Sequence, residues 1–553
     1  MKRIAICLAV ASAVGCQSSS APVPAATTSA AITAEDLRQR LFLIADDSMM
    51  GRESGSIGNY KTAEYVASEF KRLGLEPAGE NGSYFQTVPF WNAAVDPTST
   101  LSAGGTTLVI RRDFVPSSTR AMPRTFTGTK VIYAGPINDS TRWISASDAA
   151  GKFIILDLPA GTPMRGLGVS PRFREAAAVG IVALETVGSE TIARFMDGRP
   201  VADTSRNPNV LPTVWLSRHA AATLLGSEAA VAPGTAGRDV SGHFDIQRKP
   251  VAFAARNVVA ILRGRDPVLR TEYVSLTAHN DHVGFDHSPV DHDSLRAFNR
   301  VIRPMGADSP NRQPTAAEWA QVRTILDSLR KVNRPRLDSI RNGADDDGSG
   351  TVAILEIAEA MARGGVRPRR SILFVNHVGE EDGLIGSHWY TDHATVPIDA
   401  IVAEIDQDMT GRGTSTDFPR DGGKAAATPT YLEVVGAKRL SREFGDSLEA
   451  ANSRETLPFV FDYTFDAPGH PLQYYCRADH YNYARYGIPA VAFSRGEHLD
   501  YHQITDEPQY ISYPDLARVT KMVYSSALVI ANMGHRPKLD APKQANPNAP
   551  CRQ

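Results

Sequence analysis

Basic charge is not in excess in this chain: 59 lysines and arginines face 61 acids across 553 residues, a net charge of −2. That balance removes the electrostatic case for nucleic acid or an anionic membrane surface as a partner. Long apolar runs are missing as well. Past the N-terminus no segment is long and apolar enough to cross a bilayer. Cysteine is scarce, with four in all. Cys7 and Cys16 sit near the start, which leaves Cys476 and Cys551 as the pair an oxidising compartment would join, their geometry left open by the sequence. What is present is ordinary globular material, 42% hydrophobic and 22% charged, enough for several domains.

The first residues read "MKRIAICLAVASAVGCQSSSAPVPAATTSAA". Lys2 and Arg3 precede an apolar run over residues 4–14, too short to span a membrane and typical of a signal peptide. The stretch Ala13-Val14-Gly15-Cys16 resembles a bacterial lipobox, in which cleavage leaves Cys16 to be acylated; an ordinary cleavable signal is the alternative. The expectation is a lipoprotein signal over 1–16, lipid attachment at Cys16 and a flexible Ser/Ala/Pro-rich tether over 17–33. Both readings put the protein outside the cytoplasm, in the bacterial cell envelope, periplasm or extracellular space.

From residue 34 the pattern is globular. In "NYKTAEYVASEFKRLGLEP", Ala63, Val66, Ala67 and Phe70 recur at helical spacing and Gly74 ends the helix. Buried-strand candidates "EYVSLTAH" (272–279), "SILFVNH" (371–377), "AIVAEID" (400–406) and "IPAVAFS" (488–494) alternate with helices over 351–363 and 515–533. This alternation predicts an α/β fold, a three-layer sandwich around a central mixed, mostly parallel sheet. Ligands in such folds bind beyond the carboxyl ends of the strands. Residues from about 100 to 250 are instead short β-rich runs such as "KFIILDL", with the look of an inserted domain. Residues 285–341 form a charged insertion, in which Thr315 and Glu318 make a capping-box pattern ahead of Trp319, Val322, Leu326 and Leu329. That extra helix reads as a lid or as surface decoration.

The polar residues of interest follow the strand candidates. "TAHNDHVG" offers His279 and Asp281, which point the same way on an extended strand, so the carboxylate can fix the tautomer of a metal-binding imidazole. "NHVGEEDGLIGS" sets Glu380 beside Glu381; adjacent side chains diverge, so one can bind metal while the other faces substrate as a base. "EIDQDMTGR" adds Asp408 with Asp406 behind it, and "LDYHQITDE" adds Tyr501 and His502. Each motif alone is weak. Together they make a nitrogen and oxygen donor set suited to zinc or related divalent metals.

The stretch "GADDDGSG" at 343–350 admits two metal readings. Counted from Asp345, the residues Asp347, Ser349, Gly350, Val352 and Glu356 lie one substitution from a calcium-binding EF-hand loop. The other reading is a carboxylate that bridges two transition metals. An EF-hand requires a helix leading into Asp345, and Pro335 and Gly343 interrupt one.

The ordered series "AHNDH", "GADDDGSG", "GEEDGLIGS", "DQDMTGR" and "DYHQITD" resembles the co-catalytic dizinc aminopeptidase family, of the bacterial leucyl aminopeptidase and aminopeptidase Y type. The likeness extends to "MMGRESGSIGNYKTAEYV" and covers most of 34–120 and 250–535. "DAAGKFIILDL", "REAAAVGIVAL" and "VLPTVWLS" resemble the protease-associated domain many members carry. The resemblance implies a zinc-exopeptidase fold over 34–120 and 251–540, a β-rich protease-associated domain over 121–250, and a C-terminal tail over 541–553. It implies two zinc ions per chain, one on His279 and Asp408, the other on Glu381 and His502, with Asp346 between them. Glu380 would be the general base, Asp281 would orient His279, and Tyr501 would stabilise an oxyanion. Peptides would be the substrates, trimmed from the N-terminus. A carboxypeptidase or dipeptidase on the same scaffold is the alternative, and a non-catalytic receptor-like protein is the reading from another class.

Three departures stand out. The insertion separates the first two motifs unusually far. Within it, "FDHSPVDHDS" carries His287 and His292, which read as solvated residues or as a further metal site. "RADHYNYARYGIPA" has Ala478 where relatives often have serine, which touches side-chain preference.

Overall fold

The computed structural model describes residues 28–553 apart from 118–120, 160–161, 163–169, 203–209, 311 and 413–429. The signal segment, Cys16 and the first part of the expected tether lie outside the described residues. Residues 28–33, expected as tether, are docked: the Thr28 hydroxyl donates to Glu359, 2.5 Å away, and Thr33 caps the helix Ala34–Ile44.

A nine-stranded mixed sheet organises the molecule. In spatial order it runs Glu76–Pro77, Arg256–Leu262, Ser371–His377, Tyr273–His279, Ile401–Gln407, Ala490–Ser494, Tyr431–Val435 and Val460–Asp462, with Phe85–Thr87 also paired to Arg256–Leu262. Tyr273–His279 is parallel to both of its neighbours, and Ile401–Gln407 is parallel to Ala490–Ser494. Every residue of the four central strands is buried, which explains why their sequences are mainly apolar rather than alternating with solvent-facing charges.

Alternation along these strands feeds two cores. Ile372 and Phe374 join a core with Val66, Phe70, Leu355 and Val523 from the helices Ile57–Arg72, Gly350–Arg363 and Tyr513–Asn532. Leu373 and Val375 point the other way, to Tyr390 and Tyr483 of Ile385–Asp392 and His480–Ala484. This is the expected three-layer sandwich. Burial of apolar faces on both sides of one sheet is what holds it together.

The β-rich region is larger than 121–250. Trp91–Val95 pairs with Ile246–Pro250, and Thr100–Ala103 with Val240–Phe244, so the boundary expected at 121 falls inside these sheets. A five-stranded sheet runs from Phe114–Pro116 to Val131–Pro136. None of the strands between residues 91 and 250 joins the central sheet, among the described residues. Pairing of the entering and leaving strands, rather than composition, sets the limits of such an insert.

The charged insertion is a hairpin base, Phe285–Asp291 against Leu337–Ile340, carrying helices His292–Ile302 and Ala316–Leu329. The capping box forms: the Glu318 amide donates to the Thr315 hydroxyl at 3.2 Å and the Thr315 amide to Glu318 at 2.8 Å. The insertion packs on the segment that carries His502. The Ala307 amide donates to the Tyr501 carbonyl at 3.0 Å, Asn299 to that of Leu499 at 3.1 Å, and Arg296 pairs with Asp500 at 3.1 Å. His292 is buried, its Nε2 3.1 Å from Glu507, and His287 stacks edge-on against Phe285. Neither joins a metal-holding group among the described residues.

At the C-terminus Cys476 and Cys551 form a disulfide, and the Gly469 amide donates to the Gln553 carbonyl at 3.0 Å. The tail is therefore fastened beside the central sheet. Among the described residues no helix is long and apolar enough to cross a membrane.

Candidate metal centre

Four strand ends converge on one spot. His279 closes Tyr273–His279, Glu380 and Glu381 follow Ser371–His377, Asp408 follows Ile401–Gln407, and His502 lies in the loop after Ala490–Ser494. Parallel register puts His279 beside His377 and so levels the first two ends. Asp346 enters from the turn ahead of the helix Gly350–Arg363.

Asp346 is shared by two groups of side chains that could each hold a cation. The first is His279, Asp346 and Asp408; the second is His282, Asp346, Glu381 and His502. Oδ1 of Asp346 lies 3.2 Å from Nε2 of His279, which is also 3.8 Å from Asp408 and 4.0 Å from Glu380. Oδ2 of Asp346 lies 2.9 Å from Nε2 of His502, and the same nitrogen is 2.9 Å from Glu381. Nδ1 of His282 stands 2.8 Å from the other oxygen of Glu381.

The turn that carries Asp346 is pinned from every side. Gly343 has φ +56, and a Cβ there would lie 2.3 Å from the Asp346 carbonyl oxygen and 2.5 Å from the His282 ring, so only glycine fits. Asp345 accepts from the Gly411 amide at 2.6 Å and faces Nε2 of His498 at 3.2 Å. Asp347 accepts from the amides of Gly350 at 2.8 Å and His279 at 3.1 Å. The outer two aspartates thus hold backbone while the middle one faces the cluster. Glu356, the twelfth position of the calcium reading, accepts from Arg40 at 2.6 Å in the core, and the segment leading into Asp345 contains strand rather than helix. The EF-hand reading falls.

Arg52 completes the clamp. Its buried guanidinium donates to the carbonyl oxygens of Asn280 and Ile44 at 3.2 Å each, Gly343 at 2.8 Å, Asp346 at 3.3 Å, and Asn342. One planar side chain therefore ties the Asp346 turn to the end of the His279 strand.

Asp281 acts in two places. Its main-chain oxygen lies 3.2 Å from Nδ1 of His279, closer than its carboxylate at 3.6 Å. A proton held there leaves Nε2 as the lone-pair nitrogen facing the cluster. The carboxylate accepts instead from the Glu380 amide at 3.3 Å and the Ser54 hydroxyl at 3.2 Å. Asp406 lies behind the cluster, accepting from Thr277 at 2.6 Å.

Electrostatics follow from burial and proximity. Burial pushes Asp346 upward, but His282, His279 and His502 outweigh it and hold the carboxylate well below its usual range. Burial also raises Glu381, yet with His502 and His282 against it the group sits at about 2. Glu380 goes the other way. Burial, with Asp408, Glu381 and Asp479, lifts it well above the carboxylate range against the pull of His279. Burial holds Tyr501 well above its ordinary value, with Asp346 adding to it, so its hydroxyl keeps its proton.

The donor set fits divalent cations. Nε2 of His279, both ring nitrogens of His282, Oδ2 of Asp346, Oε1 of Glu381 and Oδ1 of Asp408 are buried without a hydrogen-bond partner among the described residues. Imidazole nitrogens and carboxylates in this number suit zinc and its neighbours. Against the sequence expectation, the structure brings His279, Asp346, Asp408, Glu381 and His502 together, sets Glu380 at the edge of the group, and stacks Tyr501 on His502 at 4.0 Å between ring centroids. His282 was missed, although it ends the quoted motif "AHNDH"; Arg52 stood inside "MMGRESGSIGNYKTAEYV" without a role.

A pocket opens beside the cluster. Asp346, Glu380, Asp408 and His502 form one wall, and Met409, Glu433, Val435, Ala478, Ala492 and Ser494 lie among the residues of the others.

The strand ends of the central sheet thus carry two groups of side chains able to hold divalent cations. Residues 257–527 match the model of peptidase family M28. The chain is 29% identical over 197 residues to leucine aminopeptidase 1 of Penicillium rubens, 34% of this chain and 47% of that one. It is 44% identical over 59 residues to leupeptin-inactivating enzyme 1 of Streptomyces exfoliatus, 10% of this chain and 14% of that one. The chain spans about half the length, or less, of the relatives it matches. In fold it is similar to an aminopeptidase from Aneurinibacillus sp. strain AM-1, with a TM-score of 0.51 and 17% identity over 92% of this chain and 96% of that one. A zinc aminopeptidase from Bacillus subtilis gives 0.50 and 17% over 90% and 95%.

Proposed function

We propose that this protein is a zinc-dependent aminopeptidase, exported and held at the cell envelope by a lipid on Cys16, that removes N-terminal residues from peptides. The observation that carries the reading is Asp346, whose two oxygens face two separate groups of metal-binding side chains with Glu380 alongside. In this reading two zinc ions would be held, one by His279, Asp408 and Asp346, the other by Glu381, His502 and Asp346. When bound, they supply Lewis acidity to the scissile carbonyl and the attacking water. The β-rich insert, in the same reading, is a protease-associated domain flanking the mouth.

The chain's own residues divide the remaining work. Glu380, 4.0 Å from Nε2 of His279 at the edge of the cluster, accepts the proton of the water on its carboxylate and returns it to the leaving amine. Asp281 holds both the imidazole of His279 and the main chain of Glu380, which fixes the distance between base and centre. Tyr501 keeps its proton and offers it to the developing oxyanion. Beyond the proposed metal ligands and Glu380, the pocket is lined by Glu433 and Glu497 against one guanidinium, Arg477, a balance that favours a substrate ammonium over a C-terminal carboxylate.

Leucyl p-nitroanilide and its N-acetyl derivative test the reading. The free amine is expected to be cleaved and the acetylated compound spared. Cleavage of acetylated substrates alone would move the protein to the carboxypeptidase or acyl-amino-acid side.

A further inference from the structure

The pocket beside the cluster contains a carboxyl group that the proposed hydrolysis does not use. Its floor is set by sheet register. Tyr431–Val435 runs antiparallel to Ala490–Ser494, with Glu433 opposite Ser494 and Val435 opposite Ala492. Alternation turns Glu433 and Val435 to one face, and all four residues line the pocket together with Met409 and Ala478. Most of this surface is apolar and small.

Glu433 is 1% exposed, and neither of its carboxylate oxygens has a hydrogen-bond partner among the described residues. A buried carboxylate is ordinarily paired or hydrogen-bonded, because leaving it bare in a low-dielectric site is costly. The nearby cation is already committed. Arg477 sits 2.8 Å from Asp308, 3.4 Å from Glu497 and 3.4 Å from the Tyr501 hydroxyl. Burial above all, then Glu497 and Asp462, raises the Glu433 carboxyl well above its usual range, against the pull of Arg477. The group is in want of a cation, and the pocket is where one would arrive.

We infer that Glu433 sets the selectivity of this pocket, and that the preferred N-terminal residue has a cationic side chain, lysine or arginine. The inference rests on the aminopeptidase reading, which places the N-terminal side chain next to the cluster. The aliphatic stem of such a side chain lies along Val435, Ala478, Ala492 and Met409, while its charged head meets Glu433. An uncharged chain of equal length fills the same apolar surface and leaves Glu433 unpaired. An acidic one adds a further carboxylate to Glu433 and Glu497. Both are discriminated against by what they leave unmatched.

The test compares lysyl, norleucyl and glutamyl p-nitroanilides on the zinc-loaded full chain. Lysyl substrate is expected to exceed norleucyl by about 10-fold or more in kcat/KM, and Glu433→Gln to bring that ratio close to one. Calorimetry provides a readout apart from turnover: lysine amide is expected to bind more tightly than norleucine amide by a similar factor, and Glu433→Gln to erase the difference. Wild-type protein that takes norleucyl as well as lysyl substrate overturns the role of Glu433 and leaves the aminopeptidase reading intact; that is also the result expected if Glu433 held the substrate α-amine instead. Failure to cleave any free aminoacyl substrate, with no preference between the two amides, overturns both. The wild-type ratio decides the matter even if Glu433→Gln does not fold.

Discussion

Oδ2 of Asp346 lies 2.9 Å from Nε2 of His502, while the other oxygen of the same carboxylate lies 3.2 Å from Nε2 of His279. One side chain thus addresses two histidines from strand ends far apart in sequence. This works only if its turn cannot drift. Gly343, Asp345 and Asp347 hold the turn locally, and Arg52 ties it to the rest of the sheet.

Arg52→Lys keeps the positive charge and loses the planar fork that reaches five carbonyl oxygens. The expected result is a folded protein whose zinc affinity falls about 10–100-fold, as for residues that position metal ligands. Competition with a chelator indicator measures the affinity, and far-UV circular dichroism measures the fold. Unchanged affinity would remove Arg52 from the centre.

Glu380→Gln keeps the shape of the side chain and removes its ability to accept a proton. Hydrolysis is expected to fall by about 10²–10⁴-fold, with bound metal unchanged. Steady-state kcat together with elemental analysis reads both. Turnover at the wild-type rate would refute the assigned base.

Arg40 is fully buried and faces three carboxylates, at 2.5 Å to Glu69 and 2.6 Å to both Glu356 and Glu359. Arg72 also reaches Glu69 and Glu359, so Glu356 depends on Arg40 most. Arg40→Met is expected to cost about 3–5 kcal/mol in urea unfolding, the usual loss when one partner of a buried pair is removed. Burial already raises Glu356 from 4.5 to about 7. Folding therefore favours its protonated form, and stability declines as pH rises through that window. In Arg40→Met the decline is expected to continue to higher pH.

His480 is buried with neither ring nitrogen hydrogen-bonded among the described residues, and burial, with Arg439 adding, lowers its pKa from 6.5 to about 3. The folded state holds the neutral ring. Its contribution is fully present above pH 6.5 and is lost as pH falls toward about 3. The slope is about 1.4 kcal/mol per pH unit. His480→Phe fills the same apolar site against Tyr475 and cannot titrate. Equal stability near neutrality and a growing advantage below pH 6.5 are expected from denaturant titrations. His377, also lowered to about 3 by burial, leaves a residual slope in the variant.

The sandwich was legible because its strands carry their signal in the residues themselves. "SILFVNH" is apolar on both faces, and the strand Ser371–His377 is buried on both faces. The limits of the β-rich insert were not legible. Trp91–Val95 becomes part of it only by pairing with Ile246–Pro250, more than a hundred residues away, and pairing partners leave no local mark. The metal-binding set could be read because its members follow recognisable strands in order. His282 could not, since a histidine one residue past Asp281 has no periodicity to reveal that it turns toward Glu381 at 2.8 Å. Glu433 was hidden for a related reason: it sits in a short strand whose register with Ser494, not its sequence, opens it to the pocket.

Metal stoichiometry tests the shared role of Asp346 most directly. Elemental analysis of the purified full chain is expected to find about two zinc ions per molecule, and Asp346→Asn is expected to lower both together, because each group of ligands uses that carboxylate. A single ion per chain, or a variant that keeps its full complement, would contradict a centre built on Asp346.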